Sequence, residues 1–412
     1  MSTNQNVKQT APPSTPANRW QSSPTRIRPL FSASQPPYLP LSLFYLFYFG
    51  ALGALIPYWP TYLQALGLRP NEIGELVAIF SITRIVAPNV CGLLADYTCV
   101  RMPIVRLATG LAVVSFFLIL DVRSFWGIAT VMTLFTFFWN AVLPQMEATL
   151  INHIGTSRYG QVRLWGSVGF IAVVLLMGPL LDYVGIQTLP SILLILYLGL
   201  WFCSLLVPEA PIPAPTSQPE SFYQVLKQPH VGIFLLACFL MQASHGPYYT
   251  FYSIYLENHG NSHSLISSLW ALGVICEVGV FLVVGGWLSR YGTFRLLLLT
   301  FVLASVRWFL IGAFADSLAI LVIAQVLHAA TFGAYHATSI HMINAYFTGQ
   351  NQVRGQAIYS SFGFGAGGMV GSLCAGYCWD WIGPSATFYM GAILSASATI
   401  IVWTNLREEA AD

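Results

Sequence analysis

Glu147 and Arg163 stand in residues 139–170, WNAVLPQMEATLINHIGTSRYGQVRLWGSVGF, inside two otherwise apolar segments. A lone charge at the centre of a bilayer costs about 2.5–3.5 kcal/mol on insertion scales, so charges kept there are normally paired, face a wet cavity and mark the path of a solute or an ion. Glu147 lies eight residues before Gly155 and Arg163 eight after it. In a helical hairpin turning near Gly155, each would sit roughly 12 Å down its helix. The two can therefore meet at one depth, where a carboxylate beside a guanidinium can bind a polar solute. The plainer alternative is an ion pair that only pins two helices.

A second set of groups lies in the C-terminal half: Glu277 in LGVICEVG, Arg307 in ASVRWF and His328 in QVLHAAT. Gln325, His328 and Thr331 recur at three-residue spacing and share one face of an apolar helix. Histidine changes protonation near neutral pH, so His328 with Glu277 and Arg307 reads as a proton-carrying network. A buried neutral histidine satisfied by a carbonyl is the alternative. Tyr248, Tyr252 and Tyr255 form a stripe beside His245 that either lines a cavity or packs helices. His336 and His341 are five apart, not the three or four that stacks two ligands on one face, and no metal site is read there. GFGAGG at 363–368 follows no strand, so it is no nucleotide loop and suits close helix contact.

The elements that must position these groups are membrane helices. Of the 412 residues, 56% are hydrophobic and 8% charged, and the mean hydropathy is +0.66, whereas a soluble domain carries roughly 25% charged residues. Apolar windows long enough to span a bilayer fall at 39–65, 72–95, 103–121, 125–151, 162–182, 188–207, 231–256, 264–288, 294–313, 317–346, 355–379 and 385–404. The Pro-rich break PEAPIPAPTSQPESFYQVLKQPH separates the sixth from the seventh. This organisation predicts a disordered basic tail over 1–37, a six-helix bundle over 38–207, a linker over 208–230 and a second bundle over 231–405. The fold class is all-α membrane protein, twelve transmembrane helices in two pseudo-symmetric six-helix bundles.

Of the 17 Lys and Arg, twelve fall in segments on the side of the N-terminus, while only Arg69 and Arg123 fall in loops on the other side. The positive-inside rule then puts both termini in the cytoplasm and the spans in the cytoplasmic membrane. Arg84, Arg163 and Arg307 are intramembrane. An internal repeat agrees with two halves: GLLAD at 92–96 answers GWLSR at 286–290, an offset of 286 − 92 = 194, and GQV at 160 answers GQA at 355, an offset of 355 − 160 = 195. The net charge of +2 and the lack of a basic run interleaved with aromatics exclude nucleic acid as a partner. The seven cysteines lie in or beside apolar runs, which argues against a disulfide framework. No HExxH, paired Asp or Ser-Lys arrangement points to an enzyme.

Together these residues resemble the major facilitator superfamily and, within it, the lactose permease-like transporters of the phenylpropionate permease branch. The likeness runs from residue 38 to about 405. WNAVLPQME, which contains Asn140, and YGQVRLWGSVGF carry it most specifically. The superfamily's signature between helices 2 and 3 is matched in part by Gly92 and Asp96, with an echo at Gly286 and Arg290, and the resemblance implies a conformational role for these four. HGPYY, beginning at His245, and Arg84 look like the phenylpropionate permease pattern. The resemblance implies solute binding by Glu147, Arg163, Glu277, Asn140, His245 and an aromatic ring at Phe170, and coupling through Arg307, His328 and Glu277. The chain departs from lactose permease where that protein's proton-carrying Glu is replaced by Thr331 and its Lys by Gln325.

The expectation is a secondary active transporter that moves a small organic solute, a saccharide or a phenylpropionate-type aromatic acid, with protons by alternating access. It needs no cofactor beyond the coupling proton, sits in membrane lipid and is expected as a monomer. An uncoupled facilitator or exchanger of the same fold and a membrane solute sensor are the alternatives.

Overall fold

The computed structural model describes residues 36–210, 222–349 and 351–406. Most of the expected tail and residues 211–221 of the expected linker lie outside the described residues. Among the described residues, eleven helices are long and apolar enough to cross a membrane: α1 Tyr38–Ala65, α2 Pro70–Thr98, α3 Met102–Leu120, α4 Phe125–Ile154, α5 Thr156–Val184, α6 Ile186–Leu206, α7 Pro229–Asn258, α8 His263–Tyr291, α9 Thr293–Ala313, α10 Leu318–Tyr346 and α12 Pro384–Asn405. Between the last two runs α11, residues 351–381, a continuous helix whose seven glycines make it less apolar than the others. The twelve windows of the sequence are thus all helices. They begin earlier than the apolar patterning predicts where a polar first turn precedes the span, at Thr156 rather than 162 and at Asn351 rather than 355.

Local chemistry sets the helix ends. Ser124 and Ser262 accept hydrogen bonds from the backbone N–H groups of Gly127 and Leu265, satisfying a first-turn donor of α4 and α8. α4 and α5 are joined by Gly155, whose φ of +71° suits a residue without a Cβ. That one-residue turn is what holds Glu147 and Arg163 at matched depth.

α1–α6 and α7–α12 form two six-helix bundles that meet chiefly through α2 with α11, α5 with α8 and α1 with α7. Helices in lipid gain no hydrophobic driving force from meeting each other, so close approach through small residues has to supply the contact. At the face opposite the two chain ends, here the far face, the halves interlock in this way. A Cβ on Gly74 would lie 2.8 Å from the Cα of Gly376, and one on Gly178 would lie 2.8 Å from the Cα of Ser264. Polar latches reinforce the seam. Asp182 at the far end of α5 accepts from the backbone N–H of His263 at 2.9 Å and of Ser264 at 3.0 Å, and from the Ser264 hydroxyl. A carboxylate from one half therefore caps the first turn of a helix in the other, where the helix dipole favours negative charge. Tyr58 donates to the His263 carbonyl at 3.1 Å and Tyr377 to Glu75 at 2.6 Å.

Toward the face that carries the chain ends, α5 and α8 part. Gly178 and Ser267 touch at the far face. Eighteen residues, or five turns, along the same helix faces bring one to Gly160 and Gly285. Neither would find an atom within 4 Å of an added Cβ. The space between the bundles thus opens on the terminal face and is closed on the far one.

Asp182→Ala removes the trans cap, worth about 1 kcal/mol or roughly a fivefold change in population. Spin-label distances between the far ends of α5 and α8 are expected to shift toward longer values in this variant. An unchanged distance distribution would show that the cap does not hold the far face closed.

Candidate functional site

The α4–α5 hairpin brings the first predicted pair together. Arg163 Nε lies 3.9 Å from Glu147 Oε1. The Tyr159 hydroxyl donates to the same oxygen at 3.2 Å, and the guanidinium lies 3.9 Å from the ring centre of Phe49. The contact is long and one-sided, leaving Glu147 Oε2 and guanidinium N–H groups available. The side chains keep 36% and 31% of their surface exposed, which a closed helix pin would not. Phe170 is nearly buried, its backbone packed on Gly53 of α1. Asn140, expected among the solute contacts, donates instead to the Phe80 carbonyl and the Thr83 hydroxyl, both at 3.0 Å. Thr83 goes on to Thr136 at 2.9 Å. The Asn140 amide therefore clasps α4 to α2, because a buried amide takes the nearest backbone acceptor.

In the second half the sequence-expected trio divides. Arg307 is fully buried and bonds no carboxylate among the described residues. It donates to the Ala324 carbonyl at 2.9 Å, to Thr331 at 3.1 Å and to Gln325 at 3.5 Å, and lies over the rings of Tyr248 and Trp308. Tyr248 donates to the same Gln325 oxygen at 3.0 Å, so this edge of the tyrosine stripe serves packing. Glu277 instead meets His328, whose Nε2 lies 3.5 Å from Glu277 Oε2. α10 turns π-helical over Ala329–Ala334, directly after His328, and α11 does so over Ser360–Gly367. Such widened turns are frequent at functional sites.

His245 occupies the break in α7 between Ser244 and Gly246. It is fully buried, with Nδ1 2.8 Å from the Met241 carbonyl and its ring edge-on to Trp308. The expectation that it binds solute gives way to packing, since Gly246 presses directly on Gly371 and seals the segment into the bundle. Gly92, Asp96, Gly286 and Arg290 lie at the terminal-face ends of α2 and α8. Among the described residues, the side chains of Asp96 and Arg290 form no hydrogen bond or ion pair. The structure thus places these four on the separated side of the molecule.

The residue the sequence reading undervalued is Arg84. It is the fifteenth residue of the 29 in α2, midway along the span. Among the described residues its guanidinium has no hydrogen bond or ion pair, and it lies 4.7 Å from the ring centre of Phe364 in the π-helical turn of α11. Around Phe364 stand Phe332, Tyr359 and His336, with ring centres 6.1, 5.6 and 5.9 Å away. Arginine at mid-span was the available signal; the rings opposite it could not be assembled without the fold.

The model of the MFS_1 like family matches residues 38–390. The probable 3-phenylpropionic acid transporter of Escherichia coli (strain K12) is 29% identical over 371 residues, 86% of this chain and 94% of that protein. The maltose permease of Geobacillus stearothermophilus is 25% identical over 341 residues, 81% of this chain and 86% of that one. Among solved structures, that of the nucleoside transporter NupG covers 89% of this chain and 97% of its own at a TM-score of 0.76 and 16% identity, a likeness of fold.

Arg307 and Arg84 are expected to separate by stability. Arg307→Gln loses three hydrogen bonds, and at the roughly 0.6 kcal/mol average found between membrane helices it should destabilise by about 2 kcal/mol. Arg84→Gln breaks no hydrogen bond and should melt at or above the parent temperature in detergent. Equal losses in both variants would contradict the assignment of Arg307 as structural and Arg84 as uncommitted.

Proposed function

We propose, on the premise that this chain belongs to the MFS_1 like family, that it carries a small organic solute together with protons by alternating access. Its place as a multi-pass membrane transporter, not an enzyme, follows from the family and from relatives that are themselves transporters. The solute classes that the relatives' names and the site chemistry support are a phenylpropionate-type aromatic acid and a saccharide. With the Lys- and Arg-rich face in the cytoplasm, the terminal face is the inner one and the structure is an inward-open state in the cytoplasmic membrane.

The observation that carries the coupling is the Glu277–His328 contact at 3.5 Å, at the midpoint of α8. Both are groups that can take up a proton, and among the described residues no arginine or lysine is bonded to either. Arg307, expected to govern proton release, is held by Ala324, Thr331 and Gln325 instead. The titrating unit is therefore the carboxylate–imidazole pair, and Thr331 serves as an acceptor for Arg307. Only a proton affinity that differs between outward and inward states lets a gradient drive the solute. Closing the terminal face and opening the far one changes what surrounds Glu277, which supplies that difference. Arg163 and Glu147, on the opposite bundle, hold polar groups of the solute. Binding across both bundles favours the rocking of one against the other.

The test is solute-driven proton movement in proteoliposomes. Adding solute to one side of vesicles holding the parent chain should move protons the same way, and Glu277→Gln should abolish uphill accumulation while impairing exchange at equal concentrations less. Downhill solute movement without a pH change would replace symport by facilitation. Arg163→Ala should weaken solute binding in the same preparation, and retained affinity would return the Glu147–Arg163 pair to a structural role.

A further inference from the structure

The charges inside the spans nearly all have local answers. Arg163 faces Glu147, Glu277 faces His328, and Arg307 is enclosed by one carbonyl, one hydroxyl, one amide oxygen and two ring faces. Arg84 is the exception. Its Cα lies fourteen residues from either end of α2, about 21 Å along the helix in each direction, too deep for the side chain to reach either surface. An arginine at that depth with no acceptor is unfavourable unless water or an anion supplies one. Its surface is partly exposed, as is that of Phe332, His336 and Phe364, so these groups border the space between the bundles rather than a sealed core.

What stands beside the cation is aromatic. Phe364 presents its ring to Arg84 at 4.7 Å, and Phe332 stacks between His328 and His336 at centre distances of 5.4 and 6.3 Å. The two phenylalanines lie in the two π-helical turns. A neutral sugar would leave the guanidinium's charge unanswered and would meet the ring faces of Phe364 and Phe332. An aryl carboxylate answers both: its two oxygens match the planar fork of the guanidinium, and its ring packs against Phe364 and Phe332.

We infer that Arg84 anchors the carboxylate of the transported solute, that Phe364 and Phe332 form the wall for its ring, and that the solute is accordingly an aromatic monocarboxylate. This rests on the transport reading above and chooses between its two solute classes. Glu147 and Arg163 then meet any further polar substituent of the solute, such as a ring hydroxyl, and the saccharide alternative drops out.

Binding and flux, measured separately on the purified full chain, test it. The probes are 3-phenylpropionate, its neutral amide 3-phenylpropionamide, and maltose. The parent chain should prefer the acid to the amide by roughly ten- to a hundredfold, the range for a hydrogen-bonded ion against a neutral partner. Arg84→Gln should erase that preference while amide binding persists, which also shows that the variant is folded. Arg84→Lys, which keeps the charge without the fork, should retain part of it and serves in its place if Arg84→Gln cannot be purified. An undiminished preference for the acid in Arg84→Gln or in Arg84→Lys, or tight maltose binding with no acid binding, overturns the assignment of Arg84. Failure of the transport reading looks different: the acid binds with its dependence on Arg84 intact, yet labelled acid does not cross the vesicle membrane.

Discussion

A charge in the middle of a bilayer has to be answered by an opposite charge, a set of dipoles or water, and the architecture of this chain follows from the different answers it gives. Arg307 is answered by dipoles and ring faces alone, and so has become a structural post joining α9 to α10. Glu147 and Arg163 answer each other loosely across a one-residue hairpin turn. Glu277 is answered by an imidazole that can itself take a proton. These are three degrees of commitment, from a fully enclosed cation to pairs that keep part of their surface exposed. The less a charge is committed to the fold, the more of its free energy remains available to a ligand or a proton.

The same solvent explains the closed far face. Lipid tails solvate an apolar helix as well as another helix does, so two bundles stay together only where backbones come close or polar groups meet. The chain uses both devices at one end. Gly74 against Gly376 and Gly178 against the start of α8 bring the backbones together, and Asp182 fastens the first turn of α8. Such a seam is close but not strong, because each element contributes only about a kilocalorie.

Most of this fold was legible in the sequence because the bilayer imposes long apolar runs, and every such run became a helix. The matched depth of Glu147 and Arg163 was legible too, since equal distances from Gly155 fix it once the hairpin forms. What could not be read was the direction in which polar side chains turn. Asn140 looked like a solute contact, but a nearby carbonyl on α2 claimed its amide. His245 looked like a solute contact, but the break in α7 buries it beside Trp308. Arg307 looked like the partner of Glu277, but Gln325 and Thr331 hold it instead. The π-helical turns carry no periodicity signal, so the aromatic group around Phe364 was invisible. In each case, competition among nearby acceptors decides the outcome, and only three-dimensional packing specifies that competition.

The pseudo-symmetry of the halves gives the uncommitted charges a further meaning. α2 and α8 are both 29 residues long, and Arg84 and Glu277 are each the fifteenth. Equivalent places in the two halves thus hold a permanent cation in one and an ionisable acid in the other, at an offset of 277 − 84 = 193, one residue short of the repeat's 194. Two helices that occupy equivalent places and flank the same space therefore carry a cation and an ionisable acid at the same depth. An anion bound at Arg84 alters the field in which Glu277 gains or loses its proton, and a proton on Glu277 alters the field in which the anion binds. Linkage makes these effects equal in free energy. On the proposals above, coupling between solute and proton then needs no chain of contacts from one bundle to the other. It follows from placing a fixed charge and a titratable one at equivalent points of two bundles that open and close together.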